Sequence, residues 1–315
     1  MNEFDLIYDL IAPAAGHRDD VLLGIGDDGA LLRPPPGEAL AVVADTLVAG
    51  RHFPLDMAAE DIGWRAAAVN LSDLAAMGAT PRWATLALTF PEADEAWLRS
   101  FVRGLMTCFE RAGVALVGGD TTRGPLTITV QAMGSVPLEQ SLTRRGAQPG
   151  DLVFVSGTLG DAAGGLAQWH ASETHRSLEL RERFTRPQPR VALGQALRGL
   201  ASACIDVSDG LLADLGHIAE GSRVGMRITA ARLPLSAALR QSFDAPLALR
   251  CAATGGDDYE LAFTAPAGEA ERILGLDDES CPVTCIGEVV AGETVVLCAA
   301  DGATIDLGPG GFQHF

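Results

Sequence analysis

Apolar and polar positions along the chain alternate between short strand-like runs and longer stretches of helical period. The richest stretch is residues 61–79, DIGWRAAAVNLSDLAAMGA. At 100° per residue, Ile62, Ala66, Val69, Asn70, Asp73, Ala76 and Met77 share one side, apolar except for Asn70 and Asp73. Trp64, Ala68 and Leu71 form a second apolar line, which predicts a helix buried on most of its circumference. A carboxylate there loses hydration worth on the order of several kcal/mol and needs a cation or a proton. The ordinary alternative for Asp73 is a locally hydrogen-bonded core residue.

The same reading predicts a short helix at 4–11, a strand at 21–23 leading into Gly24-Ile25-Gly26-Asp27-Asp28-Gly29, and a buried strand at 40–44 ending at Asp45-Thr46. A strand at 83–90 and a helix at 94–112 follow, the helix with an apolar stripe of Trp97, Phe101, Leu105 and Phe109. A strand at 114–117 carries Gly118-Gly119-Asp120-Thr121-Thr122 at its end, and 126–136 is a long alternating strand. A turn-rich connector at 143–151 separates the halves, dividing the chain into residues 1–137 and 138–315. Beyond it come a strand at 152–156, a glycine-rich turn at 157–165 entering a helix, and a polar helix-loop excursion at 171–186. A helix at 188–200 precedes the strand 203–205, which leads to Asp206-Val207-Ser208-Asp209-Gly210 and a helix at 211–220. Ser208 or Asp209 suits the N-cap of that helix. TGGDDYE at 254–260 precedes a strand at 261–264. The predicted class is mixed α/β (α+β), with a strand-Asp-helix pattern in both halves.

Composition narrows the partners. The chain has 315 residues, is 48% hydrophobic with 36 glycines, and carries a formal charge of −18, which argues against nucleic acid or an anionic membrane. No apolar run suits a membrane span and the first residues do not resemble a signal peptide. The six cysteines form no CxxC pair, so free thiols in a reducing cytoplasm are expected. All 23 basic residues are arginine and none is lysine. That excludes a P-loop lysine, a Schiff-base lysine and a lysine general base.

Residues 24–29 match GxGxxG formally, but no helix opens after them; the chain runs into Arg33-Pro34-Pro35-Pro36, and two adjacent carboxylates would repel a bare pyrophosphate. Asp27 and Asp28 also fit an Asp-Gly hairpin turn. Asp27/Asp28, Asp45, Asp73 and Asp120 share a setting of glycine-rich or strand-end backbone beside apolar segments. If they converge, each pair ~4 Å apart repels by about 4 kcal/mol at an effective dielectric near 20. Without lysine, hard divalent cations with oxygen ligands suit them best, and Mg²⁺ with substrate phosphates is the commonest such arrangement. No calcium-loop pattern and no histidine pair at zinc spacing is present. Phosphate with Mg²⁺ points to phosphoryl transfer, which needs positioning and charge neutralisation and no covalent nucleophile.

The ordered blocks GIGDDGALL (24–32), DTLVAGRHF (45–53), NLSDLAAMGA (70–79), GGDTTRGP (118–125), DVSDGLLADL (206–215), GDDYEL (256–261) and GFQHF (311–315) resemble the thiamine-monophosphate kinase family across nearly the whole chain. NLSD and GGDT recur in the wider superfamily of aminoimidazole ribonucleotide synthetase and selenophosphate synthetase. The resemblance implies a two-domain aminoimidazole ribonucleotide synthetase-like fold, with the N-terminal metal- and ATP-binding domains of a homodimer pairing into a barrel. It implies direct transfer of the γ-phosphoryl of ATP to thiamine monophosphate. Asp28, Asp45, Asp73, Asp120 and Asp206 would hold Mg²⁺, with Asp209 as a further ligand, and Asp45, Asp73 and Asp120 at the reacting centre. Gly119, Asp120, Arg144 and Ser208 would contact ATP, and His52, Asp257 and Phe312 the thiamine monophosphate. The family usually has a hydroxyl residue where Ala44 stands, Glu at Asp257 and a larger aromatic at Phe312. A selenophosphate synthetase-like activity is the second enzyme reading, against which stand the absence of an early cysteine and of lysine. A non-catalytic nucleotide- or metal-binding homologue is the third.

Overall fold

Two units make up the chain, residues 1–74 with 79–139 and residues 75–78 with 140–315. The computed structural model describes residues 18–92, 94–172, 176–276, 281–308 and 311. The expected helix at 4–11 and Phe312 lie outside them.

In the first unit, strand β1 (Val21–Leu23) pairs antiparallel with β2 (Leu31–Leu32), so Asp27-Asp28-Gly29 belongs to the connection of a hairpin. Strand β3 (Glu38–Val48), helix α1 (Ala59–Ala76), strand β4 (Thr80–Phe90), helix α2 (Glu95–Ala112), and strands β5 (Ala115–Arg123) and β6 (Thr127–Pro137) follow. Among the described residues, the sheet runs β3-β6-β4-β5. Its one parallel pair, β4 with β5, needs a crossover, and α2 supplies it.

Helix α2 is locally well determined. Asp94 caps it, accepting from the backbone N–H groups of Ala96 and Trp97, and Gly113 closes it in a left-handed conformation. Its predicted stripe packs inward: Trp97 stacks on Phe101 with ring centroids 5.3 Å apart, and Phe101, Leu105 and Phe109 are fully buried. Helix α1 is enclosed all round from Ile62 to Ser72. The two helices touch backbone to backbone, since a methyl at Gly63 would come 2.0 Å from the Phe101 carbonyl oxygen and one at Gly104 1.8 Å from that of Glu60. Only glycine permits that approach.

The second unit contains β7 (Asp151–Ser156), α3 (Asp161–Ala167), α4 (Leu178–Thr185), α5 (Val191–Ala196), β8 (Ala203–Asp206), α6 (Leu211–Ser222), β9 (Gly225–Thr229), α7 (Ala237–Ser242), α8 (Ala245–Thr254), β10 (Leu261–Pro266), α9 (Ala270–Leu274), β11 (Val283–Val290) and β12 (Val295–Cys298). Among the described residues, its six strands lie in the order β12-β9-β11-β7-β10-β8, antiparallel except for β12 with β9. One core cluster includes Val153, Ile205, Leu215, Met226 and Ile286. Another includes Phe154 stacked on Phe263. No helix among the described residues is long and apolar enough to cross a membrane.

Candidate active site

Asp45 and Asp120 do not sit beyond strand ends as the pattern suggests; both lie inside strands. Strand β3 stays in register with β6 from Glu38 opposite Pro137 to Val48 opposite Thr127. Likewise β5 stays paired with β4 as far as Arg123 opposite Phe90. Partner-strand hydrogen bonds outweigh the local turn preference of Gly and Asp. At Gly119, with φ 155°, a Cβ would come 1.9 Å from the carbonyl oxygen of Leu86, so glycine lets the acidic stretch lie against β4.

This packing opens a cavity of about 600 Å³ in the first unit, lined by residues 25–30 on one side and by 117–121 with Thr85 and Leu86 on the other. It brings together Asp28, Gly119 and Asp120 of the expected set, and adds Asp27. The three carboxylates are on exposed residues, and the N–H of Asp28 donates to Asp27 Oδ1 at 2.8 Å. The hydroxyl of Thr121, beside Asp120, is buried with no hydrogen-bond partner among the described residues.

Asp45 and Asp73 are related through Asn70. Fully buried on α1, Asn70 accepts from the N–H of Asp45 through Oδ1 at 3.1 Å and donates to the Ala66 carbonyl at 3.0 Å. It fastens strand β3 at Asp45, and Asp73 lies on the same helix one turn further on. His52 Nδ1 accepts from the N–H of Val48 at 2.9 Å, which places the proton of the neutral ring on Nε2. Among the described residues, no three acidic, histidine or cysteine side chains are already gathered as a metal cluster.

In the second unit, Asp206 ends β8 and is buried. Neither Ser208 nor Asp209 caps α6. Gly210 holds the cap position, and Asp214, inside the helix, turns back so that Oδ2 accepts from the N–H groups of Ser208, Asp209 and Gly210 at 3.0, 3.1 and 3.0 Å. Burial, reinforced by the charges of Asp206 and Asp209, pushes the Asp214 carboxyl up to about 7. A carboxylate four positions into a helix is a common solvated residue, so sequence offered no signal for this role.

Asp257 joins the same loop by its backbone, donating to the Ser208 carbonyl at 2.9 Å, while Tyr259 donates to that of Val207 at 2.9 Å. Glu260, fully buried, accepts at Oε1 from Arg183 Nη2 and Arg190 Nη2, both at 2.6 Å, and at Oε2 from Arg190 Nε at 2.7 Å and Ser156 Oγ at 2.6 Å. Burial alone would raise this carboxyl, but Arg190, Arg183 and Ser156 hold it below the ordinary glutamate range. Asp258 is pushed well up by burial despite accepting from the Gly160 and Ala162 amides. Arg144 is exposed and lines a different cavity, about 540 Å³, with Arg145, His217, Glu220 and Arg223; Ser208 does not border it.

Comparisons with known proteins identify the family and the fold. Residues 26–136 match the model of the AIR synthase related protein, N-terminal domain, and 148–298 that of the C-terminal domain. The chain is 47% identical over 318 aligned positions to a thiamine-monophosphate kinase of Escherichia coli (strain K12), covering 99% of this chain and 98% of that protein. It is similar to the crystal structure of thiamine-monophosphate kinase from Stenotrophomonas maltophilia K279a, with 49% identity, a TM-score of 0.88 and coverage of 95% and 97%. A structure of AaThiL complexed with AMPPCP and TMP matches with 34% identity, a TM-score of 0.79 and coverage of 99% and 97%.

Proposed function

The chain belongs to the AIR synthase related family and, within it, to the thiamine-monophosphate kinases, and from that premise we propose a direct, in-line and Mg²⁺-assisted phosphoryl transfer. A phosphate oxygen of thiamine monophosphate attacks the γ-phosphorus of ATP. The bond from that phosphorus to the β,γ-bridging oxygen breaks, giving thiamine diphosphate and ADP with no phosphoenzyme. AaThiL complexed with AMPPCP, an ATP analogue, and TMP supports both substrates. The observation that carries the reading is the single cavity lined by Asp27, Asp28, Asp120 and the glycines at 118 and 119, in a chain without lysine.

The residues present suit a hard divalent ion. Their donors are carboxylate oxygens, and Thr121, whose buried hydroxyl has no hydrogen-bond partner among the described residues, is one of the lining residues. Asp28, Asp45, Asp73, Asp120, Asp206 and Asp209 would hold Mg²⁺. When bound, Mg²⁺ lowers the electrostatic cost of bringing two phosphate anions together. The acceptor oxygen is already ionised, so the chain supplies orientation rather than a general base. Asp45, Asp73 and Asp120 set the reacting centre. Gly119 brings backbone close to the nucleotide, with Asp120, Arg144 and Ser208 as its other contacts. For thiamine monophosphate, His52 carries its ring proton on Nε2, a donor of the kind a phosphate oxygen accepts; Asp257 accepts from the aminopyrimidine and Phe312 covers a ring face.

The pairing of two N-terminal units into a barrel across a homodimer belongs to the same proposal. Among the described residues, strand β3 is an edge of the first unit's sheet, and Leu40 and Val42 stand 49% and 51% exposed on it. An open apolar edge strand is a template for a second copy. Sedimentation should give a dimer that Leu40→Arg with Val42→Arg dissociates; a monomeric parent protein at micromolar concentration would remove the barrel. Among the described residues no disulfide joins the cysteines, which fits a cytoplasmic setting. Activity is tested by incubating the protein with ATP, Mg²⁺ and thiamine monophosphate. Thiamine diphosphate should accumulate, and none above a no-enzyme control overturns the proposal.

A further inference from the structure

Asp257 and Tyr259 both adopt left-handed backbone, with φ 71° and 51°, and neither is glycine. Side chains avoid that region unless their surroundings hold them there. Here the surroundings are unusually complete. The backbone of 257–260 exchanges hydrogen bonds with Val207 and Ser208: Asp257 and Tyr259 donate to them, and Val207 donates back to the Glu260 carbonyl at 2.8 Å. The buried Glu260 side chain then fastens the strap through Arg183, Arg190 and Ser156. Gly157 leaves the room, since a Cβ there would lie 2.1 Å from Glu260 Oε1. Tyr259 is itself buried, at 8% exposure, and its hydroxyl donates to Asp257 Oδ1 at 3.2 Å.

We propose that Tyr259 is a positioning residue for the thiamine-monophosphate site: its hydroxyl sets the rotation of the Asp257 carboxylate before substrate arrives, on a strap that Glu260 anchors. The inference rests on the assignment of Asp257 as the acceptor for the substrate's aminopyrimidine. A left-handed residue at 257 and another at 259 turn both side chains off the path of an ordinary strand and bring the phenol back onto the carboxylate two residues earlier. The hydrogen bond spans two residues of one strap, and Tyr259→Phe removes the hydroxyl while the buried ring stays in place. Its value lies in pre-orientation: a carboxylate already turned toward an amino donor loses less freedom on binding. Because Asp is one methylene shorter than Glu, it reaches less far and its direction matters more.

The test is steady-state kinetics on the full chain at saturating ATP and Mg²⁺. Tyr259→Phe should raise the KM for thiamine monophosphate about 5- to 10-fold, with kcat within about 2-fold and the KM for ATP and the melting temperature unchanged. Asp257→Asn should raise the same KM at least as far, and adding Tyr259→Phe to it should change nothing more, as expected for two groups acting through one contact. An unchanged KM in Tyr259→Phe beside a raised one in Asp257→Asn overturns the positioning role alone. An unchanged KM in Asp257→Asn overturns the substrate assignment beneath it. A lower melting temperature in Tyr259→Phe, with both KM values and kcat altered together, shows a structural role and also overturns the proposal.

Discussion

The acids of the first unit's cavity and those around Glu260 in the second unit are the same chemical groups in opposite circumstances. Asp27, Asp28 and Asp120 are exposed around an open cavity. Asp161, Asp258 and Glu260 are at most 2% exposed. The second group has internal partners: Ser236 Oγ donates to Asp161 at 2.6 Å, backbone amides to Asp258, and two arginines to Glu260. Buried carboxyl groups with internal donors hold structure together, whereas exposed carboxylates around a cavity keep their oxygens available to cations. Acid count alone does not distinguish the two; burial and the identity of the donors do.

The comparison is most exposed at Glu260. Glu260→Gln should destabilise the second unit by about 3–5 kcal/mol in urea unfolding, because two guanidinium groups lose their buried counter-charge; a cost below about 1 kcal/mol would break the contrast. Conversely, Asp120→Asn and Asp73→Asn should each lower kcat on the order of 10²-fold or more. Stability in both should move by no more than about 0.5–1 kcal/mol. Near-normal turnover in either variant removes that residue from the reacting centre.

Acid unfolding sharpens the point. Glu260 titrates below its unfolded value of 4.5 in the folded chain, so its contribution is present above pH 4.5 and is lost as pH falls through the lower folded value. Unfolding followed by fluorescence from pH 6 to 3 should therefore show a stability loss that is shallower in Glu260→Gln; identical slopes would contradict the assignment. The smallest effect is expected at Thr121. Thr121→Val should reduce kcat/KM about 3- to 10-fold if its hydroxyl meets the nucleotide or a metal-bound water, while stability holds or rises by up to about 1 kcal/mol. Unchanged kinetics would make that hydroxyl an ordinary core defect.

Particular elements show how much was readable beforehand. The helix at 94–112 was legible to within a residue because its cap, apolar stripe and terminal glycine are all local signals. The enclosure of α1 was legible from apolar residues on two of its sides. The strand ends near Asp45 and Asp120 were misplaced, since the extensions to Val48 and Arg123 are imposed by partner strands distant in sequence. Ser208 and Asp209 were reasonable caps by composition, yet Asp214 took the amides. Asp258, Tyr259 and Glu260 stood in plain view within GDDYEL, but nothing local distinguishes an anchored carboxylate from a ligand-binding one.

By itself, then, the order of residues determined the kinds of element, the family and the absence of any lysine chemistry, because those depend on composition, short-range periodicity and motif blocks. Folding in three dimensions decided which acids stay in water around a cavity and which are sealed against arginine and backbone amides. That choice depends on partners far apart in the chain: Ser156, Arg183 and Arg190 meet at Glu260 only after β7, α4, α5 and β10 have packed together.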